Sequence, residues 1–177
     1  QDHGVPPAGV SHLDFRHNLF KSHLKENPQP HVLLYRSDEV PAEMNRLRSI
    51  AISAGAVVTE EIYVMDSGMA AILGGSMDLL ARERDRIVIL DVATSHTVGA
   101  AMMSGEIAGF FEYHTQDITL ERLEGLILEL CDGKLAHHRV LEEGGHGAYL
   151  RKAVDYQTVE VTVATGPKRR LVEPSKL

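Results

Sequence analysis

Cysteine is nearly absent: Cys131 stands alone among 177 residues, so the chain forms no internal disulfide and no multi-cysteine zinc or iron–sulfur centre. That scarcity fits a reducing compartment, and the cytoplasm is the expected location. Long apolar runs are missing too. None approaches the ~20 residues of a membrane-spanning helix, and the N-terminus has no signal-peptide core, so no membrane partner is expected. Positive charge is in deficit, with 18 Lys and Arg against 25 Asp and Glu and a formal net charge of −7. A field of that sign repels phosphate backbones, which argues against nucleic acid. A single phosphate or nucleotide remains open, because backbone N–H groups hold a phosphate locally whatever the total charge. Internal repeats and low-complexity tracts are also lacking.

What is present suffices for one sizeable core, since 44% of the residues are hydrophobic and the length suits one domain. Residues 1–30 carry four of the ten histidines and four of the seven prolines. They read as an N-terminal arm with a short helix over 15–24, and 31–177 read as a single α/β domain. Within it, 31–35 suits a buried strand. A helix is expected from Ser37 or Asp38 to Ala54, where Met44, Leu47, Ala51 and Ala54 recur at helical spacing and Gly55 supplies a stop. Residues 57–65 read as a strand, and 68–78 as a small-residue helix capped by Asp66 or Ser67.

The middle of the chain is the most informative. Residues 86–91 form an apolar strand ending on Asp91, and Ser104-Gly105 makes a tight turn before the strand 106–113, giving a three-strand meander. Leu120, Leu123, Ile127 and Leu130 then mark one helical face, ended by Asp132-Gly133. A less regular segment follows, through His137, His138 and the 144–147 glycine loop, and 159–163 alternates as a last strand. Together these predict an α/β domain with a mixed sheet, of ribonuclease-H-like architecture.

Chemistry is expected first at Asp91 to Thr97. A carboxylate at a strand end, followed by hydroxyls in a turn, suits a phosphate with hydrated magnesium: Asp91 orients metal-bound water, while Thr94, Ser95 and Thr97 face phosphate oxygens. A polar sheet corner with no ligand uses the same letters. The Gly144-Gly-His-Gly147 loop gives the backbone freedom around His146, suiting an anion-holding turn or an ordinary helix-ending loop. Thr165, Gly166 and Lys168 open a turn with three cations that suits a phosphate, or solvent, equally well.

Residues 87–109, from Ile87 through Asp91 and Thr94 to Gly109, resemble the phosphate-binding strand–turn–strand of the actin, hexokinase and heat-shock-chaperone ATPase superfamily. The resemblance implies one lobe of an actin-like ATPase, with ATP and Mg2+ as cofactors and Asp91 as both catalytic and metal-holding residue. His96 falls within the same loop. That superfamily usually has glycine two residues after the Asp, where this chain has Ala93.

A second resemblance covers nearly the whole chain. Gln1-Asp-His-Gly4, Asp66-Ser-Gly-Met-Ala-Ala71, Asp91-Val-Ala-Thr-Ser-His-Thr97, Phe111-Glu-Tyr-His-Thr115, Gly145-His-Gly-Ala148 and Thr165-Gly-Pro-Lys-Arg169 resemble, in order, a prokaryotic family. Its members often carry the transferred label "putative pyruvate formate-lyase activating enzyme". It implies that an N-terminal half is missing, leaving the chain a fragment that partners that half or another copy of itself. Radical chemistry of the labelled kind needs three cysteines around one cluster, and one cysteine argues against it.

His3, His96, His114 and His146 all fall inside these motifs, and imidazole is the commonest metal ligand. Their sequence spacing is not that of a known metal motif, so separately placed, hydrogen-bonding histidines are expected. Three functions stay open: a nucleotide- or phosphate-binding lobe, a noncatalytic scaffold that keeps the fold, and a His/Asp metal-dependent hydrolase.

Overall fold

Residues 6–116 and 118–177 are described by a computed structural model, in two units: the described residues up to Ala70, and Ala71–Leu177. The expected boundary after residue 30 falls inside the first unit.

In the first unit, the Ser11 hydroxyl accepts the Asp14 N–H at 3.1 Å and starts α1, His12–Glu26. The helix outruns the expected 15–24 because this cap lies upstream of the apolar positions. Pro30–Leu33 forms a tight 3-10 turn, leaving Leu34–Arg36 as β1, antiparallel to β2, Tyr63–Met65. Between them α2 is Asn45–Ala54. It starts later than expected because Pro41 disfavours helical backbone at the residue before it. Asp66 Oδ1 accepts the N–H groups of Gly68 at 3.1 Å and Met69 at 3.4 Å, capping α3, Ser67–Ser76. Its Oδ2 pairs with Arg16 at 3.1 Å. The expected Asp66 cap is present.

The second unit is built on a five-stranded sheet in the order β6-β5-β4-β3-β7. Its meander comprises β3 (Arg86–Val92), β4 (His96–Met103) and β5 (Glu106–His114), all antiparallel. Ser104 and Gly105 take φ 55° and 74°, the left-handed pair that a twisted two-residue hairpin requires. α4 is Leu120–Cys131, capped by Thr119, and α5 is His137–Glu142. β6, Gly147–Leu150, adds antiparallel to β5 directly after the glycine loop, a strand the sequence pattern does not predict. β7, Val161–Thr165, lies parallel to β3 on the other side. The sheet is therefore mixed, as the sequence pattern predicted, and the fold is α/β. No helix among the described residues is long and apolar enough to cross a membrane.

Strand alternation assigns the two faces. One carries Val88, Leu90, Val92, Ala101 and Phe111 against Leu123, Leu126, Ile127 and Leu130 of α4, all buried. Gly99 belongs to this face, where a Cβ would sit 2.4 Å from the Phe111 ring. Burying the valine, leucine, isoleucine and phenylalanine side chains among them contributes about 1.5–3 kcal/mol each and holds the sheet that positions everything below. On the other face, Gly75, in the part of α3 that belongs to this second unit, lies over Ile89, whose Cγ2 would be 2.6 Å from an added Cβ.

Candidate site at one end of the sheet

Register places two rows that carry polar side chains on the face opposite α4. Thr165, Asp91, Val98, Glu112 and Gly147 stand directly across from one another on β7, β3, β4, β5 and β6. In the next row, His96 of β4 faces His114 of β5. His146, just before β6, donates its backbone N–H to the Glu112 carbonyl at 2.9 Å. The expectation of separately placed histidines is thereby corrected for three of them. His146 Nε2 lies 3.1 Å from His114 Nε2, and the His96 ring centroid is 4.5 Å from that of His146 and 5.1 Å from that of His114. One nitrogen from each of the three falls within 4.8 Å of the others. His3 lies outside the described residues.

The Glu112 carboxylate sits behind this cluster. Its Oε1 is 3.2 Å from His146 Nδ1, and both side chains are nearly buried, 12% and 10% exposed. The geometry assigns the proton to Nδ1, donating to the carboxylate. His146 Nε2 is left facing His114. Motif 111–115 was legible in the sequence, but the role of Glu112 was not; the available signal was a carboxylate in the interior of a strand, flanked by Phe110, Phe111 and Tyr113.

Local structure explains the convergence. The hydroxyls of Thr97 and Thr115 meet at 2.9 Å on the α4 face, buried. The Thr115 N–H reaches the Ser95 carbonyl at 2.9 Å, and the Ala93 N–H reaches that of His96 at 3.1 Å, so the β3–β4 corner is tied to the end of β5. The loop bearing His146 is held by Tyr113, whose hydroxyl donates to the Glu143 carbonyl at 2.7 Å. Gly147, at φ 114°, lets the chain pass the His137 ring, which a Cβ would approach to 2.4 Å. His137 Nδ1 accepts the Ala148 N–H at 3.1 Å.

The second feature lies beside the first. Asp91 is diagonal to His96 across the β3–β4 ladder, a relation that typically separates residues by about 7–8 Å. Its carboxyl has no cation or hydrogen-bond donor beside it among the described residues, and burial pushes its pKa above the ordinary value. Gly166, at φ 93°, carries the chain over it: a Cβ would sit 2.6 Å from Asp91 Oδ1 and 2.5 Å from the Val92 carbonyl. The Lys168 N–H donates to that carbonyl at 2.9 Å.

Of the residues marked from sequence, Asp91, Thr94, Ser95, His96, His146, Gly147, Thr165, Gly166 and Lys168 gather at this end of the sheet, with Thr94, Ser95 and Lys168 exposed. Thr97 does not join them. Its side chain points to the α4 face, is fully buried, and spends its hydroxyl on Thr115, which corrects its expected phosphate contact. Two ligand chemistries are on offer: oxygen donors around Asp91 for a hard cation, and three imidazoles for a transition metal.

The chain belongs to the family described as "Putative pyruvate format-lyase activating enzyme (DUF1786)", which matches residues 1–171. No curated protein and no solved structure matches it. Cys131, the sole cysteine, is buried, and burial, then Asp132 and Asp155, push its thiol up to about 12. It offers no thiolate ligand, so the radical chemistry the family description suggests has no cysteine set in this chain.

Proposed function

We propose that this end of the sheet binds the phosphate of a small molecule, a nucleotide foremost, together with Mg2+ at Asp91, in a lobe of ribonuclease-H-like, actin-like ATPase type. The observation that carries the reading is Asp91 itself, a partly buried carboxylate at the end of an interior strand with no cation beside it among the described residues. A desolvated carboxylate lacking a counter-charge favours a bound cation, and open α/β sheets take ligands outside the carboxyl ends of their strands. The strand order supports the same reading, with an antiparallel meander followed by a strand parallel to its first member. Asp91 would orient metal-bound water, the exposed Thr94 and Ser95 hydroxyls would meet phosphate oxygens, and Thr165, Gly166 and Lys168 would close the far side. Mg2+ would supply charge neutralisation at the phosphate.

Ala93 favours a second reading, a noncatalytic scaffold, because its methyl occupies the position where glycine lets backbone approach a phosphate. Calorimetric titration of ATP, with and without Mg2+, into this chain and Asp91→Ala separates the two. Magnesium-dependent binding lost in the variant is the expected result; binding unaffected by the substitution, or none in either protein, favours the scaffold.

A further inference from the structure

We infer that His96, His114 and His146 form a binding site for one divalent transition-metal ion, of the zinc and cobalt class, with Glu112 as the carboxylate that orients His146. The inference is independent of the phosphate site at Asp91 and stands on different donors. Zinc takes imidazole nitrogens at about 2.0–2.1 Å in tetrahedral geometry, which puts neighbouring ligand nitrogens about 3.3 Å apart. The His114 and His146 Nε2 atoms are already 3.1 Å apart, and one ring nitrogen from each of the three imidazoles lies within 4.8 Å of the others.

Three features distinguish this cluster from a chance meeting of rings. Two of the ligands stand directly opposite in a ladder that is pinned on its other face by the Thr97–Thr115 hydrogen bond, so their spacing is set by the sheet. The third comes from a loop anchored to β5 through the His146 N–H and the Tyr113 hydroxyl. Glu112, accepting from His146 Nδ1 at 3.2 Å, is the second-layer carboxylate that commonly fixes a metal-bound imidazole's tautomer and raises its basicity.

The donor set selects the ion. Nitrogen ligands favour zinc, cobalt, nickel and copper over magnesium or calcium, which prefer oxygen. Three protein ligands leave a fourth tetrahedral position for water or an anion, the arrangement of catalytic rather than structural zinc.

The test uses the full chain, stripped with chelator and titrated with Co2+. Visible absorption rising to one equivalent, reversed by Zn2+ and unaffected by excess Mg2+, is expected. His114→Gln and His146→Gln should each weaken binding at least 100-fold, and Glu112→Gln about 10–100-fold. His138→Gln, an exposed histidine on α5, should bind as the parent does. Circular dichroism establishes that each variant is folded, and saturating Zn2+ should raise the melting temperature of the parent but not of His114→Gln. Absence of stoichiometric cobalt binding, displacement by Mg2+, or a folded His114→Gln that keeps parental affinity would each overturn the site.

Discussion

The hydroxyls of Thr97 and Thr115 offer a sharp measurement, because one of them was expected to hold phosphate and instead holds the sheet together. Thr97→Val keeps the shape of the side chain and removes its hydroxyl, leaving that of Thr115, only 6% exposed, without its 2.9 Å partner. A buried hydroxyl stripped of its hydrogen bond costs about 1–3 kcal/mol, whereas replacing both partners by apolar groups of the same shape is nearly neutral. Each single valine variant should therefore lose about 1–3 kcal/mol, a fall of a few degrees or more in melting temperature for a chain of this size. Thr97→Val/Thr115→Val should return close to the parent. Urea unfolding followed by circular dichroism gives the four corners of the cycle and its coupling energy. Additive losses, or a Thr97→Val protein of parental stability that no longer binds phosphate, would refute the assignment and return Thr97 to the ligand site.

Asp91→Asn should stabilise the protein at neutral pH. Burial raises the folded-state pKa of Asp91, so its favourable contribution is fully present below the unfolded value of about 3.9 and is lost as pH rises through the folded value. The melting-temperature advantage of the variant should thus be small near pH 3 and grow toward pH 7; an advantage independent of pH would contradict this. Gly166→Ala should cost ~2 kcal/mol or more, because a side chain at φ 93° is strained and its Cβ would meet the Val92 carbonyl at 2.5 Å. Its urea midpoint would read the loss, and parental stability would mean that the loop relaxes freely.

The meander and α4 were legible because each follows a clean rule. The former alternates about a Ser-Gly turn, and the latter repeats its leucines at helical spacing and stops at Gly133, at φ 76°. β6 was not legible: Gly147-Ala-Tyr-Leu150 is short and half small residues, and what makes it a strand is the edge of β5. The gathering of Asp91, Gly166 and Lys168 followed from strand ends that the sequence marked. The histidine cluster was hidden for a subtler reason. Counted back from the Ser104–Gly105 turn, where Met103 faces Glu106, His96 would stand opposite Tyr113. A bulge shifts the register between Ala101 and Met102, and the extra residue puts His114 there instead. A one-residue slip exchanges the faces of a strand, so without the bulge His114 would point toward α4. No side-chain pattern announces it.

The parallel pairing of β7 with β3 also bears on the order in which the molecule is made. Ile87 and Leu90 must find Val161 and Ala164 across a length of chain that contains the rest of the sheet, while the meander joins neighbours through a two-residue turn. Loop-closure entropy delays such distant pairings relative to local ones. All three clustered histidines lie upstream of β7, so their strands are ready to close as a ribosome delivers the chain. The Asp91 edge is incomplete until Gly166 and Lys168 arrive. The histidine cluster is thus complete in the emerging chain before the Asp91 edge is.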